Sequence, residues 1–216
     1  MPQTPLGIAV LTIPALLIAV ILHEIAHGWA ADKLGDPTAR LSGRITLNPL
    51  KHIDPFLTII VPGVLVLSGS PVVFGGAKPV PVNPLNLRNP RKDMIWVALA
   101  GPITNIVLAL SAYAILKLGV EFSFFSSFPR GIGLFLYYTF AYAVLINLVL
   151  ALFNMLPVPP LDGGRIAVGL LPAQSARALA KLEPFGILIV VALLFFGLFD
   201  VVITPILEFL FTHVFT

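Results

Sequence analysis

Residues 6–27 read LGIAVLTIPALLIAVILHEIAH, and this stretch decides the fold. From Leu6 to Leu22 no side chain is charged, and then His23, Glu24 and His27 arrive within five positions. An uninterrupted apolar run of this kind is a membrane helix. Ionisable groups at membrane depth are costly to bury and mark functional positions by default. On a helix, His23 and His27 stand at i and i+4, so both imidazoles leave from one face and can share a metal ion. Glu24 then sits beside them as a general base. The plainer readings are a chance match or a polar helix end reaching for the interface, and the burial cost of three such groups disfavours both.

Composition points the same way. Of 216 residues, 58% are hydrophobic and 11% charged, against about 25% charged in soluble domains. The chain therefore reads as an integral membrane protein, with room for four or five spans of about 20 residues. No sizeable soluble domain is left over. The net charge of +3 comes from loop lysines and arginines that set topology, and nucleic-acid binding is not expected. Cysteine is absent, which excludes disulfides, thiolate ligands and a cysteine nucleophile. A zinc ion would have to be held by nitrogen and oxygen, as suits a catalytic site with an open position. The first apolar segment lacks a basic leader and a small-residue cleavage pattern, so it is expected to stay in the mature chain.

Four segments read as full membrane helices, at about 6–29, 94–118, 132–155 and 184–212. The expected architecture is an all-α polytopic membrane protein with a re-entrant or extended segment lining the active site. It forms one domain over residues 1–216, with a core at about 6–172 and a C-terminal helix at about 184–212. Phe56–Leu67 is apolar but short, and is followed by Ser68-Gly69-Ser70-Pro71. Alternating proline and valine in Ala77–Asn83 (AKPVPVN) force extended backbone and forbid helix.

Charge decides whether the region from Phe56 onward crosses the membrane. If Phe56–Leu67 spans, the lysines and arginines divide six against seven and give no orientation. If it dips in and returns, they divide eleven against two, with only Lys117 and Arg130 on the far side. The excess of positive charge on cytoplasmic loops selects the second arrangement, with the N-terminus outside. Irregular backbone at that depth must be buried in protein or line a wet cavity, so this segment should line the site.

A catalytic zinc usually takes three protein ligands. His52, Asp54, Asp200 and Glu208 are candidates for the third, but Asp162 is the best. It lies in NMLPVPPLDGGR, Asn154–Arg165, where prolines stiffen one side and Gly163-Gly164 permit close backbone approach on the other. In the re-entrant arrangement the first and third full helices both run inward. Asp162 then emerges at the depth of His23 and His27.

With these motifs in view, HEIAHGWAADKLGD, GGAKPVPVN, AGPITN and NMLPVPPLDGG together resemble the site-2 protease family of intramembrane zinc metalloproteases. The likeness is to its compact bacterial branch without PDZ or CBS domains, and it covers about residues 20–170. It implies one zinc held by His23, His27 and Asp162, with Glu24 as the catalytic carboxylate. It also implies cleavage of a substrate's transmembrane segment from the cytoplasmic half of a membrane, here expected to be the bacterial inner membrane. The expected partners are a transmembrane protein substrate and the lipid bilayer. All four catalytic positions match the motif.

The remaining expectations concern substrate. Ala77–Asn83, with Lys78, Pro79 and Val80 at its centre, is either a sheet edge for an unwound substrate or a rigid turn. Asn154 either holds the substrate backbone or an oxyanion, or is structural. Asn105 is assigned to helix packing beside the site, Asn147 to structure and His213 to the interface. Two competing functions remain, a divalent-metal transporter and a non-catalytic scaffold. A transporter calls for ligands along a path through the membrane, and a scaffold has no need of Glu24.

Overall fold

The computed structural model describes residues 5–67, 75–197 and 199–214. Its elements are α1 (Pro5–Lys33), α2 (Thr38–Leu41), a π-helical turn (Pro55–Ile60) running into α3 (Val61–Leu67), α4 (Pro90–Glu121), α5 (Arg130–Asn154), α6 (Asp162–Leu170), α7 (Ala173–Ala180), α8 (Gly186–Phe195), a second π turn (Phe199–Ile203) and α9 (Thr204–His213). No strand occurs among the described residues. Four stretches are long and apolar enough to cross a membrane: Val10–Lys33, Pro90–Glu121, Arg130–Asn154 and Ala173–Phe195. The chain is an all-α polytopic membrane protein.

Packing follows a stripe of small side chains. On α1 the buried positions Leu11, Ala15, Ala19, His23, His27 and Ala31 recur every fourth residue. On α4 they are Ala98, Gly101, Pro102, Asn105, Ala109 and Ala112. In lipid, where helices gain little by hiding apolar surface from one another, close backbone approach over small residues is what holds them together. The larger side chains turn outward. Ile13, Leu16, Leu17 and Ile18 on α1, and Ile103, Ile106, Val107 and Leu110 on α4, are exposed on the lipid-facing flanks.

The helix ends explain where α4 starts. Asn89 caps it and Pro90 takes its first position, where a missing N–H costs nothing. The Asn89 N–H donates in return to Asp93 Oδ2 at 2.7 Å. The charged run Arg91-Lys92-Asp93 thus belongs to the first turn, and the helix begins four residues before the expected 94.

The segment after α2 is tied back on itself at two points. The Lys78 N–H donates to the His52 carbonyl at 2.8 Å, and the Thr58 hydroxyl donates to the Gly76 carbonyl at 2.6 Å. Both feet therefore meet on one side, as a re-entrant hairpin requires. Pro55–Leu67 reaches only about 20 Å as helix, short of the ~30 Å hydrocarbon core. The expected Ser68–Pro71 turn lies outside the described residues.

Beyond the hairpin, Asp36 ties the returning chain to the end of α1. Fully buried, it accepts from the Asn83 N–H at 2.6 Å, from Asn86 Nδ2 at 2.9 Å and from the Thr38 amide and hydroxyl. Burial alone would raise its pKa, but donors from Thr38, Asn86 and Asn83 together hold the carboxyl below its ordinary value.

One expectation is corrected here. The C-terminal helix drawn at 184–212 is not continuous. It breaks at Gly197, whose φ of 82° is left-handed, and resumes through the π turn at Phe199–Ile203. Because Gly alone enters that region freely, α8 stops after ten residues and the last span draws on Ala173–Phe195 instead. The part beyond the break packs inward, with Ile203 and Leu207 against Ala109, Ala112, Val144 and Leu148.

Candidate metal centre

His23 and His27 point from α1 toward α4, with their rings edge to face at 4.6 Å and 87°. Their outer nitrogens are fixed by what lies behind them. His27 Nδ1 stands 2.7 Å from the Val97 carbonyl, which can only accept, so Nδ1 carries the hydrogen and Nε2 is bare. His23 Nδ1 stands 2.6 Å from Asn105 Oδ1. The Asn105 amide nitrogen is already donating to Asn147 Oδ1 at 2.9 Å and to the Ala19 carbonyl at 3.3 Å. His23 must therefore donate through Nδ1 as well, leaving its Nε2 bare.

Asp162 completes the cluster. It opens α6 after a tight return from α5 that two glycines make possible. A Cβ on Gly163 would strike the Met155 and Leu156 carbonyls, and one on Gly164 would strike the backbone of Val158 and Pro159. The close approach expected at Gly163-Gly164 is thus present. The turn swings the carboxylate back to α1, with Oδ2 3.1 Å from His23 Nε2 and 3.3 Å from His27 Nε2. The two Nε2 atoms are 3.0 Å apart.

With both rings neutral, three lone-pair atoms thus face one another, and Asp162 Oδ2 is buried without a hydrogen-bond partner. Such a triangle is repulsive unless a cation sits among its members. A tetrahedral zinc with ligands at about 2.0–2.1 Å sets its ligand atoms roughly 3.3 Å apart, close to the edges observed. Oxygen and imidazole donors without thiolate also suit that ion. The residues fit a zinc ion.

Space for it is kept by Gly101. A Cβ there would lie 2.5 Å from both His23 Cε1 and His27 Nε2 and 2.6 Å from His23 Nε2, hard against the two imidazole donors. Glu24, on the next position of α1, lies with the two histidines so that their donor atoms fall within 4.8 Å of one another. Its Oε2 accepts the Val80 N–H at 2.7 Å. That contact brings the extended stretch Ala77–Asn83 onto the site.

The other candidates go elsewhere. His52 is buried with Nε2 on the Thr46 carbonyl at 2.8 Å, and Asp54 caps the π turn through the Phe56 N–H at 2.9 Å. Asp200 lies in the second π turn and Glu208 on α9. Asn154 donates from Nδ2 to the Leu150 carbonyl of its own helix at 3.0 Å. Around Lys78, the N–H and carbonyl are already engaged, the latter by Arg44 Nη2 at 2.7 Å. Pro79 and Pro81 have no N–H to offer.

Sequence reasoning missed the place of Gly101 and the hydrogen bonds by which Asn105 and the Val97 carbonyl set the two imidazoles. A lone amide on a small-residue stripe was the available signal, Asn105 in Gly101-Pro-Ile-Thr-Asn105.

Comparison with known proteins agrees with this geometry. The model of "Peptidase family M50" matches residues 11–136 and 132–197. "Putative zinc metalloprotease YwhC" of Bacillus subtilis is 37% identical over 94% of this chain and 89% of its own length. "Putative zinc metalloprotease Rip2" of Mycolicibacterium smegmatis is 32% identical over 89% and 70%. The protein of the same name from Mycobacterium tuberculosis H37Rv is 28% identical over 89% and 69%. No solved structure matches. The class is that of a multi-span membrane peptidase. The chain belongs to peptidase family M50.

Proposed function

We propose that this chain is a zinc endopeptidase that hydrolyses a peptide bond in or near a transmembrane segment of a membrane-protein substrate. One observation carries the reading: three hydrogen-free donors on membrane-spanning and membrane-adjacent helices converge at 3.0–3.3 Å beside a glutamate. Zinc bound among them would lower the pKa of a water toward neutrality and polarise the scissile carbonyl. His23 and His27 hold the ion with their rings locked by Asn105 and Val97, and Asp162 supplies the negative charge that offsets it. Glu24 accepts the proton of the attacking water and passes it to the departing amine. The Val80 N–H fixes one of its carboxylate oxygens and leaves the other for the proton.

Orientation follows from charge. With Lys78 and Gly76 bonded back to His52 and Thr58, a re-entrant path puts eleven of thirteen lysines and arginines on one face, which is the cytoplasmic one. The site then opens toward the cytoplasm, in a bacterial inner membrane.

The test uses the full chain purified in detergent with a single-span substrate. Glu24→Gln is expected to keep zinc near one equivalent and lose cleavage by about 100-fold or more. Cleavage by this variant at the wild-type rate would remove Glu24 from the chemistry. Zinc retained without cleavage by the wild type would favour a binding or transport role.

A further inference from the structure

A cavity of about 340 Å³ opens beside the metal centre, between the extended stretch and the return loop. Val80 forms one wall, and its N–H holds Glu24. Gly164 forms another, two residues from Asp162. The cavity therefore adjoins the residue that holds Glu24 and lies two residues from Asp162. It lies where α4 begins, beside Met94, and runs along α6 to the end of α7. This is the end of the molecule that carries the positive charge. Its walls are otherwise apolar, but Arg165 and Glu183 also line it. Neither forms an ion pair among the described residues.

We propose that this cavity receives the cytoplasmic flank of the substrate. The last apolar residue of the substrate's span sits between Val80 and Val168, and the first basic residue beyond it meets Glu183. The proposal rests on the endopeptidase reading and its orientation.

Three properties support it. A substrate unwound for cleavage leaves the site as extended chain, and this cavity opens beside Val80, whose N–H holds Glu24. A substrate helix ending at the cytoplasmic face is followed by lysine or arginine far more often than by acidic residues, which makes Glu183 the complementary charge. Unwound backbone also carries carbonyls without partners, and the Arg165 guanidinium supplies donors for them. A volume of about 340 Å³ falls at the low end of the range of ligand pockets, about 300–1,000 Å³.

The experiment compares two single-span substrates that differ only in the residue after the apolar span, lysine or glutamate. Both are cleaved by the full zinc-loaded chain in liposomes, and zinc content is measured alongside. Wild type is expected to favour the lysine substrate. Val168→Trp, which fills the cavity, is expected to lower kcat/KM about tenfold or more on both substrates with zinc unchanged. Glu183 is exposed, so Glu183→Lys buries no new charge. It is expected to shift the preference toward the glutamate substrate by roughly two- to fivefold. If both variants match wild type on both substrates, the cavity is not the flank's site, while the protease reading stands. If wild type cleaves neither, the protease reading falls and this inference with it.

Discussion

The metal triangle and the strap that crosses it, Arg44 to Val80, are built to different standards. Behind the triangle every polar atom has a partner: His23 on Asn105, Asn105 on Asn147 and Ala19, Asn147 on Ala143, and His27 on Val97. Among the strap's described residues two buried nitrogens, Arg44 Nε and His52 Nδ1, have no partner. A ligand set must hold its geometry to a few tenths of an ångström, and long helices packed through small residues provide that. A segment that admits an unwound chain has to yield, and few bonds let it do so. The lesson is a division of labour between a rigid half that binds metal and a compliant half that meets substrate.

The largest effect expected is on the rigid half. In Gly101→Ala a methyl group would press on both imidazole donors, 2.5 Å from His27 Nε2 and 2.6 Å from His23 Nε2, whose rings are held from behind by Asn105 and the Val97 carbonyl. Zinc content and cleavage should both fall to background. Gly131→Ala is the control, because a Cβ there meets nothing within 4 Å. Zinc retained in Gly101→Ala at wild-type occupancy would mean that the triangle can open, and the contrast between the halves would lose its basis.

Next comes Asp162→Asn. The neutral amide is a poorer ligand for a divalent cation and offers an N–H where a lone pair is wanted. Zinc affinity and cleavage should drop together. Equal affinity in the variant would send the search for a third ligand to residues outside the triangle.

A smaller loss is expected from Asn105→Leu. It removes the acceptor that fixes the His23 tautomer and should lower zinc affinity or activity by about 10–100-fold. Asn147→Leu, one step further back, should cost less and in the same direction. Titration of zinc by equilibrium dialysis against both variants orders the chain. An equal loss in both would make the network a single unit.

The sequence disclosed these two halves unequally. The i, i+4 spacing of His23 and His27 needs only helix geometry, and Asp162 followed from topology, because the charge count already placed the inner ends of α1 and α5 on one side. The expectation of a re-entrant segment rests on the same count, and the bonds from Lys78 and Thr58 to His52 and Gly76 are compatible with it. What was not legible depends on contacts distant in the chain. Nothing local to Gly101 announces that it faces two histidines some seventy-five residues earlier, and Asn105 looks the same whether it ties helices or orients a ligand. The break at Gly197 was hidden differently. An apolar run around a glycine reads equally as one helix or two, and the outcome turns on the packing of Ile203 and Leu207 against α4 and α5.

The smallest effect, and the one that separates the halves most sharply, is expected at Arg44. This guanidinium is buried, has no carboxylate partner among the described residues and spends its one resolved hydrogen bond on the Lys78 carbonyl. A buried charge with so little return is costly, so its place is explained by what it holds. Lys78 is two residues from Val80, whose N–H steadies Glu24. Arg44→Ala removes a charged hydrogen bond of about 1.5–3 kcal/mol and leaves the Lys78 carbonyl unpaired. Arg44→Lys keeps the charge but not the fork of donors, and should recover part of the loss. Cleavage is expected to fall roughly tenfold in the alanine variant with zinc still near one equivalent, since no ligand touches Arg44. Should zinc fall in step with activity, strap and triangle would be one cooperative unit, and compliance on the substrate side would have to be sought elsewhere in the fold.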